Sequence, residues 1–266
     1  MPISEEILTQ ISENHPTLKT LNLVSQNITD EELLSLISAL ETNNSVSLLN
    51  LGHNNFSIRG VQSLAGFLAN NQSIKNFNIR GNNIGDEGVA GLSAALQQNS
   101  TLESLTISHN GITDDGVAAL MSMLVTNQAI TNLNLAHNKI GDNGADLLGK
   151  MLQTNTTITD LNIVNNGLSL KGMSRFVELL QSNKTLTNLD FVQNPISEEM
   201  SAMIKEITAR NKALRDTVAE LQDDELGSGA APAANDNVLL APGASANPQE
   251  ALQLSGTQQQ VAQILH

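Results

Sequence analysis

The sequence predicts an α/β solenoid in which one strand and one helix alternate seven times. Apolar residues open seven segments at a constant spacing of 28 residues, from Leu18 to Leu186, so the repeats occupy residues 18–213. Positions 4 and 6 of each segment are apolar around a polar position 5, the period of a strand with one buried face. Positions 16, 19 and 23 are apolar at helical spacing. Because neither element buries its apolar face alone, stacked repeats must share one core.

Polar columns mark the connections between these elements. Position 9 is Asn in repeats two to seven, where its side chain can bond backbone groups of a turn. Position 26 is Asn in all seven repeats, and we expect it to end each helix because Asn tolerates the left-handed conformation. Position 13 is Asp in four repeats, where it meets the free N–H groups of a helix start. Gly at position 15 indicates close packing between neighbouring helices.

The pattern L-x-x-L-x-L-x-x-N-x-I resembles the leucine-rich repeat, and a 28-residue unit with a helix is similar to the ribonuclease-inhibitor-like subclass. The resemblance covers residues 18–213. It implies a right-handed horseshoe with a parallel sheet on the concave face and helices on the convex face. It also implies a scaffold that binds a protein partner, not an enzyme.

The ends of the chain depart from the repeat. Residues 1–17 are expected to form an N-terminal helical cap, with apolar residues at helical spacing and no strand. An eighth repeat fails at Thr217 and Ala219, so residues 214–222 are expected to form a C-terminal capping helix. Residues 223–266 are rich in Ala, Pro, Gly, Ser, Asn and Gln and predict a disordered tail with a short terminal helix.

The tail resembles the C-terminal translocation signals of proteins that intracellular bacteria inject into host cells. This resemblance implies an effector that is made in the bacterial cytoplasm and acts in the host cytoplasm. A terminus without such a role is the alternative interpretation.

Composition excludes several other functions. The net charge of −14 opposes binding to nucleic acid or anionic membrane. No apolar stretch approaches the roughly 18 residues of a membrane-spanning helix, and the absence of Cys excludes thiolate metal sites and cysteine nucleophiles. No phosphate-binding loop, G-x-S-x-G or H-E-x-x-H motif is present. We therefore expect no catalytic residues, no cofactor and a monomer.

The predicted binding site lies on the concave face, where positions 3, 5, 7 and 8 point outward. Position 5 is an Asn-rich column whose amides either bond one another along the sheet or form a hydrogen-bonding floor for a partner. Position 7 offers an apolar strip and an arginine, features typical of interfaces. The predicted partner-binding residues in repeats three to seven are Asn78, Arg80, Thr106, His109, Asn132, Asn134, Ala136, His137, Asp160, Asn162, Val164, Asp190 and Val192.

Position 8 brings His109 and His137 onto adjacent strands, with His53 further along the column. Two imidazoles could share a metal ion, but no third ligand is evident in the sequence. We therefore predict a polar rim and no metal site.

A GTPase-activating or sensor-type regulator is the alternative function. Ran GTPase-activating proteins and the sensor domains of NOD-like receptors have similar repeats. Such activators carry more repeats and a long acidic segment, whereas only Asp223, Asp224 and Glu225 follow the repeats here. Protein binding on the concave face remains the leading prediction.

Overall fold

The computed structural model describes residues 3–227, with side chains to residue 221. One compact unit spans Met1–Asn211 and contains seven strands, and a second begins at Lys212. The described elements are α1 Glu5–Ser12, β1 Thr20–Asn22, α2 Asp30–Leu40, β2 Leu48–Asn50, α3 Ile58–Asn70, β3 Asn76–Asn78, α4 Gly85–Leu96, β4 Ser104–Thr106, α5 Asp114–Leu124, β5 Asn132–Asn134, α6 Asp142–Thr154, β6 Asp160–Asn162, α7 Leu170–Leu180, β7 Asn188–Asp190 and α8 Glu198–Gly227. No helix within residues 3–227 is long and apolar enough to cross a membrane.

The seven strands form one parallel sheet in sequence order. Each residue pairs with the residue 28 positions later, as Leu21 does with Leu49 and Leu49 with Phe77. The constant repeat length therefore places equal positions side by side across the sheet. This arrangement confirms the predicted α/β leucine-rich-repeat solenoid.

The core consists of the columns that the apolar pattern predicts. On the strand side, Leu49 and Leu51 at positions 4 and 6 are fully buried. On the helix side, Val117, Leu120 and Leu124 at positions 16, 19 and 23 are at most 1% exposed. Strand and helix thus bury their apolar faces against each other within one continuous cluster.

The position-9 Asn side chains join each repeat to its neighbours. The Nδ2 of Asn82 donates to the carbonyl oxygens of Ile79 and, in the preceding repeat, Leu51, at 2.9 and 3.0 Å. Its Oδ1 accepts from the amide of Asn54, also in the preceding repeat, at 2.9 Å. Asn82 is fully buried, so these bonds satisfy backbone groups that water cannot reach.

The position-26 Asn residues act differently from the prediction, which was wrong about their backbone. Asn71 and Asn155 are extended, with φ and ψ of −74° and 133° and of −74° and 126°. In repeat four, the Nδ2 of Asn127 donates to the Leu96 carbonyl oxygen of the preceding repeat at 2.9 Å, and its Oδ1 accepts from the Ile130 amide at 3.0 Å. This column therefore owes its uniformity to bonds between repeats.

The starts of α3, α5, α6 and α7 are each built from two successive repeats. The Asp86 carboxylate of repeat three accepts from the Thr113 amide and hydroxyl of repeat four at 2.8 and 2.6 Å, and from the Gly116 amide at 3.1 Å. A Cβ on Gly116 would lie 2.5 Å from Asp86 Oδ1. The expected close packing at position 15 is thus a contact with the Asp of the preceding repeat at Gly60, Gly116, Gly144 and Gly172, whereas a Cβ on Gly88 would meet Ile84.

The two ends of the described chain differ in their agreement with expectation. Helix α1 lies within the residues 1–17 expected to form a cap, and Ile11 at its end is fully buried. At the other end, α8 runs without a break to Gly227. The segment 214–222 is therefore a continuation of the seventh repeat's helix, and residues 223–227, expected to be disordered, are helical. The rest of the predicted tail, residues 228–266, lies outside the described residues.

Candidate partner-binding surface

The concave face presents positions 3 and 5 of each strand, because position 4 between them is buried. Asn132 and Asp190 are exposed. The other predicted residues at these positions are partly buried: Asn78, Thr106, Asn134, Asp160 and Asn162. The residues predicted at positions 3 and 5 thus share one surface that a partner can reach.

A groove of about 280 Å³ lies over strands β4 to β7. It is lined by Ser104, Thr106, Asn132, Leu133, Asn134, Asp160, Leu161, Asn162, Asn188 and Asp190. Six of these belong to the predicted set, while Asn78 lies outside the groove. Ser104 and Asn188 were missed, although both belong to the position-3 column.

The position-5 side chains do not form the stacked amide ladder that was one interpretation of the sequence. Instead, the Oδ1 of Asn134 accepts from the backbone amide of Ala136, and the Oδ1 of Asn162 accepts from that of Val164, both at 3.0 Å and both just beyond the end of the strand. Within the described residues, the Nδ2 groups of Asn134 and Asn162 make no hydrogen bond in return. The groove therefore offers amide donors to a partner.

Two carboxylates give the groove a negative charge. Asp160 accepts from the neighbouring Thr159 hydroxyl at 2.7 Å. It also accepts from the side-chain Nδ2 of Asn188, on the adjacent strand, at 3.1 Å. Among residues 3–221, neither Asp160 nor Asp190 forms an ion pair, and no Lys or Arg occupies position 3 or 5 of any strand. The surface thus favours cationic and hydrogen-bonding groups.

The apolar strip predicted at position 7 is smaller than expected. Ala136 is only 5% exposed, so the prediction that it offers contact surface is wrong. Val164 is partly buried, whereas Val192 is 62% exposed at the last strand. The sequence could not predict this increase in exposure from Ala136 to Val192, because exposure at position 7 depends on the repeat that follows.

The position-8 rim is an ordered row of rings. His109 and His137 stack with their centroids 4.1 Å apart and their planes at 15°. Arg80 Nη2 lies 3.1 Å from His109 Nε2, and Asn165 Nδ2 lies 2.9 Å from His137 Nδ1. All three position-8 histidines have positive φ, His53 at 57° included. The shared turn conformation places the rings side by side.

Burial is the main cause that lowers the pKa of His109, and the nearby His137, Arg80 and His53 lower it further. The ring is therefore neutral near pH 7, and Arg80 donates to its Nε2 lone pair. No group of three His, Asp or Glu in the described part of the chain is placed to hold a metal ion. The chemistry of this rim is hydrogen bonding and stacking.

Comparison with protein families adds two matches. The family model described as TMOD/LMOD leucine-rich domain matches residues 3–113, and a leucine-rich-repeat model matches residues 126–149 and 154–177. The chain therefore carries leucine-rich repeats. A search of curated proteins by sequence gave no match.

Two solved structures are among those that match this chain. One is described as leiomodin-1 actin-binding site 2, with 18% identity, a TM-score of 0.48, and coverage of 84% of this chain and 97% of that one. The other is the tropomodulin C-terminal domain from Caenorhabditis elegans, with 14% identity, a TM-score of 0.39, and coverage of 84% and 98%.

Proposed function

We propose that the concave face over strands β3 to β7 binds a protein partner. Leucine-rich-repeat proteins serve as protein-binding scaffolds, and the groove over β4 to β7 is the single observation that carries the assignment to this face. It presents amide donors from Asn134 and Asn162 and the carboxylates of Asp160 and Asp190, none of them in an ion pair within the described chain.

The chemistry of this surface selects the kind of partner contact. Lys or Arg side chains of a partner would meet the carboxylates of Asp160 and Asp190, with which no cation among residues 3–221 forms an ion pair. Backbone carbonyls of a partner would accept from the Asn amides. Arg80 and Val192, both exposed at position 7 of the third and seventh repeats, add a cation and an apolar contact of the kinds found in interfaces. The expected interface is polar and sensitive to salt.

The partner can be captured with a photo-reactive residue in the groove. We expect a photo-cross-linker at Asn162 to trap one protein that the same residue at Ser174, on the exposed side of α7, does not trap. Mass spectrometry of the products identifies the partner. Identical products from both positions would contradict the concave site.

We further propose that the protein is a translocated bacterial effector and that its last residues direct its export. The motivation is the Ala-, Ser- and Gln-rich composition that ends in Val261, Ile264 and Leu265, outside the described residues. Deletion of residues 240–266 should abolish delivery in a translocation-reporter assay and leave the melting temperature of the repeats unchanged. Unchanged delivery of the truncated protein would contradict this role.

A further inference from the structure

On the convex surface of α2 to α5, charge is confined to the first turn of each helix. After its first turn, none of these four helices contains a charged residue. We call this surface the neutral face and define it by the outward residues Leu34, Gln62, Gly66, Ala90, Ala94 and Ser122, all exposed. Its side chains are mostly small and none is ionisable.

The next two helices show the contrast. On α6 and α7, Asp146 pairs with Lys150 at 2.6 Å and with Arg175 at 3.2 Å, and Arg175 pairs with Glu178 at 2.9 Å. The solvent-facing side of a helix is ordinarily polar or charged, as it is here. The neutral face therefore differs from its neighbours within the same solenoid.

A groove on the neutral face contains a buried hydroxyl without a partner. The groove, of about 230 Å³, lies between α4 and α5 and is floored in part by Ser93. Ser93 is 4% exposed, and among the described residues its Oγ makes no hydrogen bond. The equivalent position in the two flanking repeats is apolar, Ala65 and Met121. A buried hydroxyl without a bond is costly, and a group that enters the groove would remove this cost.

We propose that the neutral face binds a second copy of this chain in a two-fold symmetric dimer. Two molecules with a net charge of −14 repel each other, and they approach at least cost where neither presents charge. Charges on other faces, beyond the Debye length of about 8 Å, are largely screened at physiological salt. The neutral face meets this condition.

The packing of small side chains and two-fold symmetry also favour a second copy of this chain as the partner of the neutral face. Small side chains such as Ala90, Ala94 and Gly66 let helices approach closely, and Leu34 and Val125, 52% and 45% exposed, would lose apolar surface to water. A two-fold axis that lies in the plane of the interface and is perpendicular to the helix axes sets the helices antiparallel, which keeps the acidic first turns of the two copies apart. Ser and Gln side chains of the opposing copy supply the polar group that the Ser93 hydroxyl lacks.

The area suits a weak dimer. Four helices about 10 Å apart, each extending about 12 Å beyond its first turn, give about 500 Å² per copy. The total of about 1,000 Å² is at the lower limit of specific interfaces. We therefore expect a dimer that forms with rising concentration, in place of the expected monomer. The inference is independent of the concave site, which lies on the opposite side of the repeats.

Sedimentation equilibrium of the full chain tests the dimer. Between about 2 and about 200 µM, the mass should rise from 28.3 kDa towards twice that value. Raising the salt from about 50 to about 500 mM should strengthen association, because it screens the repulsion between the two copies. A constant mass of 28.3 kDa, or a dimer that salt dissociates, would overturn the proposal.

Variants locate the interface. Ala94→Glu and Gln62→Lys, at exposed positions that tolerate charge in the monomer, should stay monomeric, whereas the matched control Ser174→Glu on α7 should associate like the parent. Ser93→Ala should weaken association about 5- to 10-fold without lowering the melting temperature. Association of Ala94→Glu and Gln62→Lys equal to that of the control would place the contact elsewhere and refute the proposal.

Discussion

At the scale of the residue, the repeated Asn columns serve the joints between repeats. Asn110 shows the arrangement: its Oδ1 accepts from the Asn82 amide at 2.9 Å, and its Nδ2 donates to the Ile79 carbonyl oxygen at 3.1 Å. The sequence predicted that position 9 bonds a turn. It could not show that both partners belong to the preceding repeat, because a single repeat contains no information about its neighbour's backbone.

Burial of His109, together with the nearby His137, makes stability depend on pH. The folded protein lowers the pKa of His109 below its ordinary value, so the unfolded chain binds a proton more readily. Stability should therefore fall as the pH drops through about 6.5, where the unfolded histidine becomes protonated. The groups that face His109 are His137, Arg80 and His53.

Melting temperatures of the parent and of His109→Gln at about pH 7.5 and about pH 5.5 test this prediction. The parent should lose more stability on acidification than the variant, since carboxylate titration is common to both and cancels in the difference. An equal loss of melting temperature in the two proteins would contradict a contribution of His109 protonation to stability.

At the scale of the element, helices α3, α5, α6 and α7 each depend on an Asp of the preceding repeat for their start. The Asp142 carboxylate accepts from the Ser169 amide and hydroxyl at 2.7 and 2.6 Å. These bonds lower the pKa of Asp142, with the side-chain bond as the largest cause. The sequence predicted Asp at a helix start but assigned it to its own helix, because contacts across 27 residues are invisible within one repeat.

Gly172 is the partner of Asp142 in this contact. A Cβ on Gly172 would lie 2.0 Å from Asp142 Oδ1, and all three of its nearest atoms belong to Asp142. Gly172→Ala should therefore destabilise the fold by about 1–3 kcal/mol, the usual cost of overpacking. In a protein that already carries Asp142→Ala, the substitution Gly172→Ala should destabilise the fold much less, because the clashing carboxylate is absent.

Chemical denaturation of the single and double variants measures this coupling. Gly66→Ala is the matched control, since its Cβ would meet no atom within 4 Å, and it should be neutral or stabilising by about 0.5–1 kcal/mol. Additive effects of Gly172→Ala and Asp142→Ala would contradict the contact.

At the scale of the whole molecule, the sequence predicted the architecture because the repeat length is constant. Seven equal units leave one register for the sheet, and the structure adopts it from Leu21 to Leu189. The continuous helix α8 was not predicted. In the inner repeats, Asn183 and its equivalents turn the chain into the next strand, whereas Asn211 is followed by no strand within the described chain and lies inside α8.

The location of the candidate site on the sheet could be predicted from the sequence, but the exposure of its side chains could not. Parallel register places positions 3 and 5 together, and this led to Asn134, Asp160 and Asn162. Exposure was less predictable: Ala136 is covered, and Val192 is open because its strand is the last in the sheet. The neutral face had a sequence signal, the absence of charge after the first turn of α2 to α5, that became interpretable only with the groove at Ser93.

The affinity of the captured partner for groove variants tests the central claim most directly. Asp160→Asn with Asp190→Asn keeps the shape of the groove and removes its charge, and it should weaken binding at least about 10-fold, or about 1.4 kcal/mol. Asp115→Asn with Glu87→Gln, which removes two charges from exposed first turns of α5 and α4, should bind like the parent. Equal affinity of both double variants and the parent would contradict binding in the concave groove.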